Sequence, residues 1–396
     1  MRFTYNTLIA IYQIGIWVYS FFDNKANDII KGQRDLIKKI KKETKNQNNI
    51  VHFHASSLGE FEQGKSVIKE YKKKYPNHKI LLTFYSPSGY NIIKNSPIAD
   101  WVFYLPHDTK KNAIFFSEVI KPIKVIFIKY EFWFNYIIEY NKQNIPIYFI
   151  STTFRKNQYF FKWYGKWFAK QLRKVNQFYV QNTTTIELLK SIKITQATIC
   201  GDSRFDTVIE NSNQVYKNEI IEKFCNKKKV LVAGSTWEKD EEILNNICEL
   251  LNYKLIIAPH EMNSISELKK LPNSILLSES SSSNISTKNI LIIDQIGILS
   301  KIYKYANITY VGGGFGKGIH NTLEAAVYNK GVIIGPNYHK FEEAKEMISL
   351  GIIKSISTNK ELITSIQYFE KQDIEEKTTP YFKSKSGAAI KICNSI

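Results

Sequence analysis

NITYVGGGFGKGIHNTLEAAVYN, residues 307–329, decides how this chain is read. Its first part, NITYVGG (307–313), has the apolar run of a buried strand. Its last part, HNTLEAAVYN (320–329), has the pattern of a helix. Five glycines, at 312, 313, 314, 316 and 318, let the backbone come close to a ligand. The free N–H groups of a helix start would attract an anion. The same residues also fit a plain capping box, with Asn321 as cap and Glu324 three positions on. Two familiar phosphate turns are excluded. Gly318 stands where a P-loop needs Ser or Thr, and G-x-G-x-x-G is not met.

Outward from this stretch, short apolar runs alternate with helical patterns along the whole chain. The first half offers NIVHFHA, KILLTFYS, WVFYLP, KVIFIKY, IPIYFIS, QFYVQN and ATICG. The second offers KVLVAGS, YKLIIAP, SILLSES, NILIID, NITYVGG, GVIIGP and GIIKSIS. Amphipathic segments such as DEEILNNICELL (240–251) and GILSKIYKYA (297–306) lie between them. This alternation predicts α/β architecture with two doubly wound parallel sheets. Ligands of such sheets sit beyond the carboxyl ends of the strands, so a cleft between two domains is the expected site. Polarity rises over residues 206–220, where the domains are expected to part. We divide the chain into an N-terminal segment (1–30), a first Rossmann-like domain (31–206), a second (207–375), and a C-terminal helix (376–396) packing back on the first.

A chain of 396 residues suits two domains. Four cysteines at 200, 225, 248 and 393 form no C-x-x-C, which points to reduced thiols rather than a disulfide framework. His52 and His54 share one strand face, a zinc-like pairing without a further ligand nearby. The net charge of +19 would suit nucleic acid or an anionic membrane. No zinc finger, RNP1 motif or continuous basic helix is visible, so nucleic acid is not expected. Residues 7–22, TLIAIYQIGIWVYSFF, carry no charge, and the basic stretch 24–45 follows them. They read as a membrane anchor or interfacial helix, with a buried first-domain helix as the alternative. The aromatic and basic segment 154–174 reads as a helix that rests on headgroups, or as a core helix with a solvated face.

Polar residues gather at strand exits: HASSLGE ends in Glu60, KYEFWFN holds Lys129 and Glu131, and GDSRFD holds Arg204. Together with TFYSPSGY, GSTWEKDEE, APHE, the glycine stretch through GVIIGPNYHKFEEA, and SKSGAAIKI, these motifs resemble the Kdo transferase family. Members move 3-deoxy-D-manno-octulosonate (Kdo) from CMP-Kdo to lipid A precursors in lipopolysaccharide synthesis. The resemblance implies a GT-B fold, an inverting glycosyltransferase, and attachment to the cytoplasmic face of the bacterial inner membrane. It implies Glu60 as general base, and Glu131 and Arg204 as transition-state stabilisers. Each has a structural alternative, a helix-start carboxylate for Glu60 and a salt bridge between domains for the other two. A helix dipole at Glu60 would lower its pKa and weaken it as a base.

The resemblance also assigns CMP contacts to Pro259, His260, Ile296, Gly297, Ile298, Asn321, Thr322, Leu323 and Glu324. Ser235 and Thr236 are further hydroxyl candidates. The sequence has no D-x-D, and CMP-sugars carry one phosphate, so neither a metal nor another cofactor is expected. The expected partners are CMP-Kdo, a lipid A precursor such as lipid IVA, and the anionic membrane surface. Two rivals remain: a GT-B enzyme using a UDP-sugar, and a basic non-enzymatic protein binding membrane or nucleic acid.

Overall fold

A computed structural model describes residues 1–244 and 247–396. It divides into two compact units, residues 1–207 with 385–396, and residues 208–384. The first unit holds β1 (Ile50–Ala55), β2 (Lys79–Phe84), β3 (Trp101–Tyr104), β4 (Lys124–Ile128), β5 (Ile147–Thr152), β6 (Gln177–Val180) and β7 (Ala197–Ile199). They form one parallel sheet in the order β3-β2-β1-β4-β5-β6-β7. The second unit holds β8 (Val230–Thr236), β9 (Lys254–Pro259), β10 (Ser274–Leu276), β11 (Ile290–Ile292), β12 (Ile308–Val311), β13 (Gly331–Ile334) and β14 (Ile353–Ser355). Its parallel order is β10-β11-β9-β8-β12-β13-β14. Every strand falls in an apolar run that the sequence offered.

Helices cover both faces, so the central strands are buried on both, while the edge strand β7 is largely exposed. On β4, Val125 and Phe127 join one apolar cluster while Ile126 and Ile128 join the other. β1 breaks the rule on one side. Val51, Phe53 and Ala55 are ordinary core, but the opposite face is His52 and His54, both fully buried. The C-terminal helix Ala388–Ser395 belongs to the first unit. Asp206 caps its start, accepting from Gly387 N at 2.5 Å and Ala389 N at 2.8 Å.

The N-terminal helix, Arg2–Tyr19, buries none of its residues. Its contacts with the unit run from Arg2 to Tyr12, whose ring stacks on Tyr85 at 6.5 Å between centroids. Arg2 reaches Glu139 at 2.6 Å, and the Tyr5 hydroxyl donates to the buried Asp108 at 2.5 Å. Burial pushes the Asp108 carboxyl up to about 6, against the donors supplied by Tyr5, Asn135 and Tyr136. Farther along, Leu8, Ile11, Ile14, Trp17, Phe21 and Phe22 are exposed. No helix among the described residues is long and apolar enough to cross a membrane.

Two local expectations are corrected. Segment 154–174 is not one helix. It folds as 3-10 turns Tyr159–Phe161 and Trp163–Gly165 followed by helix Lys166–Leu172. At Gly165 the chain doubles back so tightly that a Cβ would lie 1.8 Å from the Tyr159 carbonyl oxygen. The run 320–329 forms only the single turn Leu323–Ala326. The amphipathic segment 240–251 appears as helices Glu238–Leu244 and Ile247–Leu251, and residues 245–246 lie outside the described residues.

Candidate active site

In each sheet the strand order reverses at one point, between β1 and β4 in the first unit and between β8 and β12 in the second. Loops leaving neighbouring strands diverge there and open a crevice at the carboxyl ends. Glu60 and Glu131 follow β1 and β4 at the first point and the glycine stretch follows β12 at the second, while Arg204 follows β7, Pro259 and His260 end β9, and Ile296–Ile298 follow β11.

Glu60 follows β1, in the first turn of helix Leu58–Lys74, where its carboxylate accepts from the Ser57 hydroxyl. Burial pushes the Glu60 carboxyl above its usual range. The Glu131 carboxylate adds to the push, and Lys129 pulls against it. The net shift is therefore opposite to what a helix dipole alone would produce. Glu131 follows β4, and its Oε2 accepts from the Trp133 indole at 2.7 Å and lies 3.3 Å from His54 Nε2. Lys129 turns this loop in a left-handed conformation, with φ of 66°. The β1 and β4 exits thus bring two carboxylates into electrostatic contact.

Arg204, after β7, pairs with Asp202 at 2.6 Å, a local bridge within GDSRFD. Its neighbour Ser203 accepts at its carbonyl from Ser66 at 3.0 Å and donates to the Gln63 carbonyl. Those contacts tie the Arg204 loop to the helix that carries Glu60. A cavity of about 440 Å³ opens beside this region, lined by Tyr5 and Tyr12 of the N-terminal helix and by Tyr85, Glu131 and Trp133.

In the second unit the glycine stretch is folded against the chain's own backbone. A Cβ on Gly312 would lie 2.3 Å from the Ser235 carbonyl oxygen, and one on Gly314 would lie 2.6 Å from Gly335 Cα. Buried Asp240 anchors the arrangement. Its Oδ2 accepts from Trp237 N and Gly313 N, both at 2.9 Å, and its Oδ1 accepts from the Tyr310 hydroxyl at 2.6 Å. One side chain therefore joins the exits of β8 and β12.

Pro259 ends β9 beside Thr236, and His260 N donates to the Thr236 carbonyl at 2.9 Å. The His260 ring stacks with both Trp237 and His320, at centroid distances of 4.7 and 4.3 Å. The Trp237 indole donates to His320 Nε2 at 3.1 Å, which puts any single ring proton on Nδ1. Burial and His260 push His320 down to about 4.

Asn321 folds inward, accepting from Leu323 N at 3.2 Å and donating to Glu324 at 2.9 Å. Leu323 is core. Thr322 is 1% exposed, and its hydroxyl has no hydrogen-bond partner among the described residues. A buried unpartnered hydroxyl is costly unless a ligand meets it. Thr236 donates to Glu241, and Ser235 adopts a left-handed φ of 53°.

Ile296 is 83% exposed and Gly297 faces open space. The helix that follows them, Leu299–Ile302, does reach β8, where a Cβ on Gly234 would lie 2.6 Å from Leu299. Trp237, Asp240 and His320 were not singled out from sequence. Their only signal was their place inside strand-exit motifs. Among the described residues no group of three or more His, Cys, Asp or Glu could hold a metal ion. The ring nitrogens of His52 and His54 are all within hydrogen-bond distance of protein groups.

Comparison with known proteins gives this geometry relatives. Residues 32–207 match the 3-deoxy-D-manno-octulosonic-acid transferase (kdotransferase) family model. The chain is 28% identical over 363 residues to a bifunctional glycosyltransferase/methyltransferase of Fusobacterium nucleatum, covering 86% of this chain and 56% of that protein. It thus spans little more than half of that relative's length. It is 26% identical over 336 residues to the 3-deoxy-D-manno-octulosonic acid transferase of Aquifex aeolicus, covering 82% and 87%. The solved UDP-GlcNAc 2-epimerase of Methanocaldococcus jannaschii superposes with a TM-score of 0.56 at 13% identity, covering 82% and 93%, a likeness of fold alone. Two Rossmann-like units with polar strand exits give the GT-B fold, and the relatives are named glycosyltransferases. Over residues 32–207 the chain carries the Kdo transferase domain, and Kdo transferases resemble it at 23–26% identity over most of its length.

Asp240→Ala strips the acceptor from three donors, at about 1–3 kcal/mol for each buried group left unpaired. We expect a lower urea midpoint for the second unit, followed through Trp237, the sole tryptophan of residues 208–384. An unchanged midpoint would refute the anchoring role.

Proposed function

We propose that this protein transfers Kdo from CMP-Kdo to a lipid A precursor, lipid IVA, with inversion at the anomeric carbon. The carrying observation is the pair of carboxylates at the β1/β4 reversal, with Glu60 pushed above the usual carboxylate range. A base must hold its proton loosely enough to release it and tightly enough to take it, and a raised carboxyl is better matched to that task. Glu60 removes the proton from the attacking hydroxyl. As the bond to CMP breaks, the sugar gains oxocarbenium character, which the fixed Glu131 carboxylate stabilises. Arg204 offsets the charge that accumulates on the departing phosphate. The leaving group carries one phosphate, so the mechanism is written without a metal or other cofactor.

The second unit holds the donor in this reading. The unpartnered Thr322 hydroxyl supports it, as does the Trp237–His260–His320 stack, a flat surface suited to a base or sugar face. Glu324 suits ribose hydroxyls rather than phosphate, because like charges repel. The sequence expected a helix start to face the phosphate. With only one turn at Leu323–Ala326, that role falls instead to individual donors along the glycine stretch.

The acceptor is an amphiphile, and the first unit has features to match. Exposed Trp17, Phe21 and Phe22 lie next in sequence to a lysine-rich stretch. Exposed Trp163 and Tyr164 lie close in sequence to Lys162 and Lys166. We place the protein at the cytoplasmic face of the inner membrane, with aromatic rings in the interface and lysines toward anionic headgroups. The cavity beside the N-terminal helix gives a lipid headgroup a route to Glu131.

The direct test is a transfer assay with CMP-Kdo and tetraacylated lipid IVA, with EDTA present. Wild type should give product, and folded Glu60→Ala should lose about 10²–10⁴-fold in kcat. No product from folded, membrane-reconstituted wild type would turn the assignment toward a UDP-sugar donor.

The pH profile tests the carboxylate pair. A base must be ionised, so activity should rise with pH through a pKa above the ordinary glutamate value. In Glu131→Gln the like charge is gone, and the acid limb of the residual activity should move to lower pH. A limb that stays in place would show that Glu131 does not act on Glu60.

Binding to vesicles containing anionic lipid should weaken at high salt. It should fall at least about tenfold in a Trp17→Ser, Phe21→Ser double variant. Equal binding by the variant would remove the N-terminal helix from the membrane contact.

A further inference from the structure

Behind Glu131 lies a run of buried polar groups that the proposed mechanism leaves unused. His52 and His54 point to the same face of β1, and the pairing register puts Thr83 of β2 opposite His54. Thr83 Oγ1 sits 2.8 Å from His52 Nε2 and 2.8 Å from His54 Nδ1. His52 Nδ1 is 3.0 Å from the Tyr140 hydroxyl, and His54 Nε2 is 3.3 Å from Glu131 Oε2. His52, His54, Thr83 and Tyr140 are all 0% exposed.

We propose that His54 is a positioning residue for Glu131, the last link of a one-directional hydrogen-bond chain that starts at Tyr140. The proposal rests on the reading that Glu131 takes part in transfer.

The direction follows from counting donors. Among the described residues the Tyr140 hydroxyl hydrogen-bonds only with His52 Nδ1, so its buried proton has nowhere else to go. His52 must then carry its proton on Nε2 and donate it to Thr83. Burial and His54 push His52 well below the ordinary imidazole range, consistent with one ring proton. Thr83 has one proton, and with its oxygen already accepting from His52 it donates to His54 Nδ1. The alternative acceptor for Thr83, the Phe53 carbonyl, is farther away at 3.5 Å. His54 then carries its proton on Nε2 and donates it to Glu131.

The reverse order would need a protonated Glu131 at one end and would leave the Tyr140 proton unpaired at the other. The forward order uses every donor once and ends on a carboxylate. With the Trp133 indole on the same oxygen, two ring N–H groups fix Glu131 Oε2 in place. The chain crosses the sheet from β1 to β2 and reaches Tyr140 of helix Phe134–Lys142, so packing around β1 is coupled to the carboxylate's orientation.

The test uses the full chain. Nitrogen-15 NMR of the wild-type protein should show both His52 and His54 with a single ring proton on Nε2. A His54 proton on Nδ1 alone would overturn the chain without any variant. Kinetically, His54→Asn keeps an amide near the Nδ1 position and loses the donor to Glu131. His54→Gln restores an N–H near Nε2. We expect kcat to fall about 10- to 100-fold in His54→Asn with little change in KM, and to return within about threefold in His54→Gln. Equal kcat in wild type and His54→Asn overturns the positioning role. Glu131→Gln separates the layers. Full turnover in Glu131→Gln removes the reading beneath the proposal and the role of His54 with it. Loss in Glu131→Gln beside a wild-type His54→Asn removes the inference alone.

Discussion

Fourteen strands that all run parallel within their sheets share one constraint: each must be re-entered from the same end. Loops at the carboxyl edge are therefore many, close together and free of strand pairing. Where the order reverses, between β1 and β4 and between β8 and β12, neighbouring loops turn to opposite faces and leave room. Glu60, Glu131, Trp237 and the glycine stretch all occupy such exits. The sheet supplies rigidity at the cost of burying both faces, and the loops carry the polar groups that burial excludes elsewhere.

The two reversal points are finished differently. In the first unit polarity is pulled into the core, where His52 and His54 replace aliphatic residues on one face of β1. Rings pack around them, with Phe116 at 5.0 Å from His52 and Trp133 at 5.0 Å from His54. The second unit keeps its strands apolar and lets Asp240 gather backbone donors at the strand ends. Both devices satisfy buried polar groups completely, which a low-dielectric interior requires.

The parts of this design legible in the sequence are those carried by local pattern. KVIFIKY and KVLVAGS announce buried strands because nothing else explains four or more consecutive apolar residues between polar turns. Glu60, Glu131 and Arg204 were visible because each directly follows such a strand. The glycine stretch was visible as a turn but misjudged as the start of a longer helix. Leucine and alanine at 323–326 suit helix, yet Asn329 takes a left-handed φ of 60° and β13 begins at Gly331. The chain has no room for further turns.

The roles of Asp240 and His320 depend on which strands lie side by side. Thr83 is an unremarkable strand residue until the register sets it between two histidines. Periodicity carries no information about these pairings, because they join residues tens of positions apart.

The same logic bears on why one carboxylate of the pair, and not the other, suits the task of base. Glu60 sits on a helix start, with the Ser57 hydroxyl and the local backbone N–H groups of Ser57 and Glu60 as donors, and burial and its neighbour's charge still push it upward. Glu131 receives two ring N–H groups on one oxygen, from His54 and Trp133. A carboxylate held by two buried rings is costly to reorient and is suited to stay as a charge. One held by donors of its own helix start can turn toward a hydroxyl and accept its proton. On the proposed mechanism the two acids differ in function because the chain gives them different donors, and most of that difference is built by β1, the strand that also delivers Glu60.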